Sequence, residues 1–570
     1  MEYGERPMPG STKSFNPNRI KNKKTTKEKP QDQACAVQKE PPVSLQTASG
    51  IALKSLYTPE DISDLDYHKQ IGLPGKEPFV RGIYPSMYRG RSWTLRQLAG
   101  FGPAEETNKR YKFLLKEGAT GINGVFDYPT LRGFDSTDPI ARADAGRGGV
   151  AIDTLADMQV LFDGIPIETT STSLVTCQPI CNISVQSMYF AHARLSHVPL
   201  DRLSGTSQND FLMETTVTVA PEVLPPRYSF KLSCDAIEYC TRHVPRWNPV
   251  SFSGYNYRES GCTAIQEVAF VISNAVACCE EILRRGFDID RFAPRLSFFL
   301  SAHNDFFEEI AKYRAARRIW CRIMKERFAA KDPRSLKFRY HVQTAGVALT
   351  AQQPLNNIAR AAYHGLAAVL GGAQSLHIDG YDEALCTPTE LSALTALRTN
   401  QILQLETGVT NTIDPLGGSY FIESLTHQLE EKIIALLEEI EQMGGVVRAV
   451  ETGWIHREIS DAAFEYQQAI ESGKMPIVGL NCQRVAEEKL PMDLFEVPET
   501  LRIQEEKLEK IKKERDPDRV QLALDAIADC CREDGNLMEV IVGSVKSYVT
   551  VGEISRTLKD CYGTWHMPLF

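Results

Sequence analysis

Residues 295–329 read RLSFFLSAHNDFFEEIAKYRAARRIWCRIMKERFA. A short apolar run ends in a polar turn, and an amphipathic helical segment follows at once. This is the pattern of a strand passing into the helix of a βα unit. The same texture recurs along the chain. GINGVFDYPT (121–130), SFKLSC (229–234), VSFSGYN (250–256), LKFRYHVQTAG (336–346) and AQSLHIDGYDEA (373–384) each look like a strand ending in a polar turn. CTAIQEVAFVISNAVACCEEILRRG (262–286) and NIARAAYHGLAAVLGG (357–372) look like helices between strands. Strand–helix alternation predicts parallel βα units. No GxGxxG follows a strand, and polar residues gather at many strand ends. One (β/α)8 TIM barrel over residues 81–414 therefore fits better than a doubly wound α/β sheet.

The rest of the chain frames that barrel. Residues 1–45 are polar, with seven basic and one acidic residue between 11 and 30. They read as a disordered basic arm, and without interleaved aromatics nothing points to nucleic acid. Residues 46–80 read as an N-terminal extension, and 415–570 as a helical appendage of long charged helices such as LTHQLEEKIIALLEEIEQMGG (425–445). A net charge of −9 draws the protein neither to nucleic acid nor to an anionic membrane. No run of 18 apolar residues predicts a membrane span, and the first residues carry no secretory pattern. Fourteen cysteines are scattered, with adjacent pairs at Cys278-Cys279 and Cys530-Cys531 and a C-x3-C at Cys177 and Cys181. They read as reduced, buried thiols of a cytoplasmic protein with no metal site.

One stretch resists that framing. YRGRSWTLRQLAGFG (88–102) sets Arg89, Arg91 and Arg96 among Tyr88, Trp93 and Phe101. It is too basic for a buried strand and too apolar for a solvated loop. Taken alone, it reads either as a surface loop whose arginines pair with helix carboxylates or as an anion-binding segment, since guanidinium forks match phosphate oxygens. Gly90 and Gly100 would let backbone approach such a ligand.

Eight blocks, in order, break the tie: YPSMYRGRSWTLRQLAGFG, FDYPTLRGFDS, GRGGVAIDTLADMQVLFDGIP, GTSQND, FAPRLSFF, HVQTAG, GGAQSLHIDGYDEAL and DPLGGSYFIE. Together they resemble the methylmalonyl-CoA mutase family of adenosylcobalamin-dependent acyl-CoA mutases, from about residue 50 to 565. The resemblance implies a (β/α)8 barrel with the CoA chain threaded along its axis. It assigns Tyr84, Ser86, Met87, Arg91, Thr94 and Arg96 to the segment around the CoA phosphates and pantetheine. It puts Ser173, Thr206, Asn248, Arg295, Ser297, His341 and Gln343 along the axis, and Gln374 and Glu383 toward the cobalamin and its adenosyl ribose. Gln208, Tyr255, Asn256 and Glu259 fall at the reaction side, while His377 reads as a satisfied core histidine. A barrel interior is normally packed with branched apolar residues, so polar groups there imply a polar occupant.

The departures from the family pattern are informative. The D-x-H-x-x-G signature of the cobalamin domain is missing; DYHKQIG at 66–72 has its glycine one place late and precedes the barrel. The resemblance therefore implies a stand-alone large subunit that needs a small cobalamin-binding subunit. Large subunits would pair as a homodimer within a heterotetramer, as in the isobutyryl-CoA and 2-hydroxyisobutyryl-CoA mutases. The family's carboxylate-holding tyrosine and arginine are Leu98 and Thr218 here, its thioester-facing histidine is Asn256, and the aspartate that binds a substrate hydroxyl is Val125. Leu98, Val125 and Thr218 together imply a small, uncharged acyl pocket, because a buried carboxylate without a partner costs several kcal/mol. The resemblance implies radical migration of the thioester carbonyl carbon. Its rivals are methylmalonyl-CoA mutase proper and a silent scaffolding homologue.

Overall fold

A computed structural model describes residues 45–217, 223–485, 494–495 and 498–568. The basic arm lies outside the described residues except for Leu45, and so does Thr218.

Eight parallel strands form the centre: β1 in two pieces (Thr94–Leu95 and Leu98–Ala99), β2 (Ile122–Val125), β3 (Thr172–Val175), β4 (Gly205–Ser207), β5 in two pieces (Trp247–Asn248 and Ser251–Ser253), β6 (Ser297–Ala302), β7 (Tyr340–Thr344) and β8 (Ser375–His377). The split strands close the ring. The first piece of β1 pairs with β8 and the second with β2; the first piece of β5 pairs with β4 and the second with β6. Each strand leads to an outer helix: α1 (Ala104–Lys116), α2 (Leu155–Leu161), α3 (Pro179–Leu195), α4 (Pro226–His243), α5 (Ala264–Arg284), α6 (Phe306–Glu326), α7 (Asn357–Gly371) and α8 (Glu390–Leu405). The expected TIM barrel is the fold.

Two local expectations are overturned. SFKLSC is not a strand but the first turns of α4. Pro226 at its first position suits a helix start, and Ser229, Leu232, Ser233, Ala236, Ile237 and Cys240 bury one face at helical spacing. The fourth strand is instead the GTS of GTSQND. The stretch judged too basic for a buried strand is β1 itself. Arg96 sits between its two pieces and donates to Ser171 Oγ at 2.5 Å. Gly100 serves strand packing rather than a ligand, since a Cβ there would lie 2.1 Å from Val125 O.

The described residues from 46 on form one compact unit, with no break in packing at 80/81 or 414/415. The three arginines of RAARRIW fasten the surrounding segments to α6. Arg317 Nε donates to Phe79 O at 2.9 Å, and Arg318 Nη1 to Gln70 O at 2.9 Å. Arg314 pairs with Asp414 at 2.6 Å and with Glu423 at 2.5 Å, drawing the helix Tyr420–Gln442 across the barrel's outer face. The described cysteines are free thiols, most of them buried. Among the described residues no helix is long and apolar enough to cross a membrane, and no cluster of His, Cys, Asp and Glu could hold a metal.

Candidate functional site

Strand side chains alternate, so every second residue of a closed barrel points at the axis. Here Leu98, Asn123, Ser173, Thr206 and Asn248 stand side by side in register across β1 to β5. Across the other half Thr94, Ser375, His341 and Phe299 do the same. Small hydroxyls and amides replace the branched apolar layers that usually fill such an interior. The result is a channel of ≈ 310 Å³ along the axis. Its wall brings together Tyr84, Arg91, Thr94, Arg96, Leu98, Ser173, Thr206, Gln208, Asn248, Arg295, Ser297, His341, Gln343 and Gln374 from the expected set. Several polar atoms in it are buried without a protein partner: Arg96 Nε, Asn248 Oδ1 and His341 Nε2. His341 is held by Ser375 Oγ at 2.8 Å from Nδ1, which leaves the other ring nitrogen facing the channel. Burial, with Arg96 and His377 nearby, pushes its pKa well down, so the ring is neutral.

The two ends differ in charge. At the N-terminal end of the strands, Arg91, Arg295 and Arg339 line the mouth, and none of them forms a salt bridge with a described residue. Burial lowers Arg339 to about 10, and the neighbouring Arg295 and Arg334 add to that. Arg295 is lowered by burial and by Arg334 and Arg246. Burial alone takes Arg96, deeper in, to about 10. Lys337 lies over the Tyr84 ring at 5.3 Å. Such crowding of cations is unfavourable in the empty protein and is relieved by a polyanion.

At the C-terminal end, β5 runs directly into the short helix Gly254–Glu259. Tyr255 and Glu259 are one turn apart on it and meet Glu383 around Gly346. A Cβ on Gly346 would lie 3.1 Å from Glu259 Oε2, 3.4 Å from Tyr255 Oη and 3.5 Å from Glu383 Cγ, so the three side chains close tightly around this residue. Glu259 Oε2 accepts from Val347 N at 2.8 Å, while Oε1 is buried without a partner. Burial, then the charge of Asp379, pushes Glu259 up to about 8, and the same two causes drive Glu383 well up. Tyr255 stacks on Phe299 with ring centroids 4.9 Å apart and accepts from Gln343 Nε2 at 2.8 Å. Gln208 Nε2 donates to Ser253 Oγ at 2.5 Å and to Asn256 Oδ1 at 2.9 Å. His377 is satisfied as expected: Nδ1 accepts from Leu98 N at 3.0 Å and Nε2 lies 3.0 Å from Asp379.

Several expected positions are not where the resemblance implied. Gln374 precedes β8 and so lies at the basic mouth, not with Glu383; its amide accepts from Tyr340 N at 2.8 Å and donates to Gly372 O at 2.7 Å. Met87 is buried under Gly82, whose Cβ would meet its sulfur at 2.6 Å, and Ser86 is exposed outside the channel wall. Val125 shares the inward face of β2 with Asn123 but stands beyond the channel lining, and the pocket role expected of Thr218 falls outside the described residues. His68 of DYHKQIG is exposed on the short helical turn Tyr67–Ile71.

The wall also holds residues that the sequence reading missed: Asn123, Val175, Ser251, Phe299, Arg339 and Ser375. The signal for most of them was period two. Asn123, Val175 and Phe299 each lie two places from an expected residue on the same strand, and Arg339 lies two places before His341, just ahead of β7. Asp379, which accepts from Gln343 at 2.8 Å and from Thr344 Oγ1 at 2.7 Å, carried no such signal.

A closed parallel barrel with an open polar axis, cationic at one end and acidic at the other, has the shape and charge to hold an extended anionic ligand in its core. The family model described as methylmalonyl-CoA mutase matches residues 46–564, and the chain belongs to that family. It is 42% identical over 527 residues to the 2-hydroxyisobutanoyl-CoA mutase large subunit of Aquincola tertiaricarbonis, covering 92% of this chain and 93% of that one. It is 42% identical over 522 residues to the methylmalonyl-CoA mutase of Rhizobium meliloti (strain 1021), covering 91% of this chain and 72% of that one. The mitochondrial methylmalonyl-CoA mutase of Homo sapiens is 42% identical over 522 residues, or 91% of this chain and 68% of the human one. The chain is accordingly an isomerase of the acyl-CoA mutase type.

Proposed function

We propose that this chain is the large, substrate-binding subunit of an adenosylcobalamin-dependent mutase that shifts the thioester carbonyl carbon of a neutral, short branched acyl-CoA to the adjacent carbon. The observation that carries this reading is the channel: unpaired cations at one mouth, hydroxyls and amides along the axis, and an uncharged reaction end where Leu98, Val175 and Phe299 meet Gln208 and Gln343. Arg91, Arg295 and Arg339 would take the CoA phosphates, with Tyr84, Thr94, Arg96 and Gln374 beside them. Ser173, Thr206, Asn248, Ser297 and His341 would hydrogen-bond the amide-rich pantetheine. Gln208 and Asn256 would hold the thioester oxygen. A substrate carboxylate finds no cation among the described residues of the wall at that end, which favours a neutral acyl group.

The residues at the acidic end fit the cofactor. Glu259 Oε1 is buried and unpartnered, Glu383 lies near it with its pKa pushed well up by burial and then by the charge of Asp379, and both could bind ribose hydroxyls. When bound, adenosylcobalamin supplies the radical that starts the rearrangement. This chain's own residues orient the acyl group, exclude water and hold the carbonyl; no general acid or base is required of them. The likeness to a protein named as a large subunit supports a small corrin-binding partner, with paired large subunits in a heterotetramer. Residues 46–80 would add contacts to a neighbouring subunit on their outer side.

The test is reconstitution. The chain, a small cobalamin subunit and adenosylcobalamin are combined with isobutyryl-, pivalyl-, 2-hydroxyisobutyryl- and methylmalonyl-CoA, and products are read by mass spectrometry. Turnover of a neutral or hydroxylated ester but not of methylmalonyl-CoA is the expected result. Turnover of methylmalonyl-CoA would make the chain a methylmalonyl-CoA mutase proper, a reading favoured by the names of several relatives. Absence of any turnover or CoA-ester binding would leave a silent scaffold.

A further inference from the structure

Cys177 follows β3 with a left-handed backbone, φ 57°, which is uncommon for a residue with a side chain. Its buried Sγ lies 3.4 Å from Gln208 Oε1 at the reaction end, closer than its other acceptor, Val175 O at 3.7 Å. Among the described residues no other group donates to that oxygen. On its nitrogen side, Gln208 donates to Ser253 Oγ at 2.5 Å and to Asn256 Oδ1 at 2.9 Å. Ser253 Oγ donates to the same Asn256 oxygen. Both donors therefore converge on Oδ1 of Asn256, and its Nδ2 donates to no described residue.

We propose that Cys177 is a positioning residue: its thiol fixes the orientation of the Gln208 amide, and through it makes Asn256 present an N–H donor to the thioester oxygen. The inference rests on the reading of the channel as an acyl-CoA site. Primary amides keep their shape when turned by 180°, so only their partners decide which end faces where. With Gln208 reversed, its oxygen would oppose Asn256 Oδ1. Asn256 would turn in response and offer an oxygen to the substrate's oxygen. A protonated histidine at 256 would donate from both ring nitrogens whichever way Gln208 stood, so the relay matters because asparagine stands there. Burial, with Asp210 nearby, pushes the thiol up to about 12, so the group stays an S–H donor throughout the working range.

The test is calorimetric binding to the full chain, using free CoA, isobutyryl-CoA and methylmalonyl-CoA. Cys177→Ala should weaken both esters about tenfold, the worth of one hydrogen bond lost and one repulsion gained, and leave free CoA within about twofold. Cys177→Ser, which keeps a donor, should restore ester binding. In an Asn256→His background, measured at a pH low enough to protonate the imidazole, the Cys177→Ala effect should shrink to less than about twofold, because both ring nitrogens then donate whichever way Gln208 stands. An equal loss for free CoA, a full loss in the Asn256→His background, or a serine variant as weak as the alanine one would overturn the proposal. Tighter binding of methylmalonyl-CoA than of isobutyryl-CoA would sink the neutral-pocket reading while the coupling is still measured. Esters that bind no better than free CoA would end both.

Discussion

The two ends of the channel carry the same physical problem in opposite signs. Arg339 at the N-terminal mouth and Arg96 deeper in are both depressed to about 10 by burial. At the C-terminal end Glu259 is raised to about 8 by the same cause. A guanidinium at about 10 remains charged at neutral pH, so only a bound anion can relieve it. A carboxyl at about 8 relieves itself by taking up a proton. The basic end therefore stays poised for a polyanion, whereas at the acidic end Glu259 becomes a neutral hydrogen-bonding group beside the charge of Asp379. Charge guides the ligand in at one end, and at the other a buried carboxyl gives its charge up.

Arg96 offers the largest test of that difference. Its guanidinium is half paired, with Nε unpartnered and a single bond to Ser171. Arg96→Met should weaken acyl-CoA binding roughly 100-fold, the worth of charge-assisted bonds in a dry site. The same change should leave the melting temperature unchanged or raise it, since it removes a poorly compensated buried charge. A large fall in melting temperature would show that Arg96 holds the barrel rather than the ligand.

Leu98 tests the uncharged end. Its side chain narrows the channel next to Val175 and Phe299. Leu98→Ala should shift the kcat/KM ratio toward a bulkier acyl group by about tenfold, the usual worth of a methylene or two in an apolar pocket. An unchanged ratio would place the acyl group elsewhere.

How much of this was legible follows from what each strand and residue depends on. β6 has six residues and a long helix behind it, so its period spoke for itself. β4 has three, too few to show any period, and SFKLSC took its place because a short window cannot separate strand from helix. β1 was misjudged because a charged residue counted against burial, yet the inside of this barrel is polar. Side chains reached by alternation, such as Asn123 and Phe299, were within reach of the sequence. Cys177, Asp379 and the position of Gln374 depend on which end of a parallel strand a residue occupies and on which neighbour it meets, and no local pattern carries that.

The acidic end also has a pH signature. Burial pushes Glu259 up to about 8 in the folded protein, against 4.5 for an ordinary glutamate. The native state thus holds more protons than the unfolded chain between those values, and its stability falls as pH rises through the folded pKa. Glu383, shifted in the same direction, adds to the fall. Glu259→Gln keeps the shape of the neutral acid and cannot ionise. The variant should match the wild type near pH 5 and melt a few degrees higher at pH 8.5, with a shallower slope between them. Parallel curves for the two proteins would mean that Glu259 is ionised in the native state and that the acidic end is not self-neutralising.

The smallest effect expected is salt. Arg91 is exposed and Arg295 and Arg339 are half-buried, so their attraction for a polyanion is partly screened. Raising ionic strength from about 0.05 to 0.2 M should weaken acyl-CoA binding about threefold, as the Debye length shortens past the spacing of such a mouth. The matching acyl-pantetheine, which lacks the phosphates, reaches only the uncharged part of the channel and should show no dependence. This pair of ligands separates the two ends without a mutation. A salt effect on both would mean that charge acts along the whole axis. An effect on neither would mean that the cations of the mouth meet no phosphate at all, and the asymmetry between the ends would then belong to folding rather than to binding.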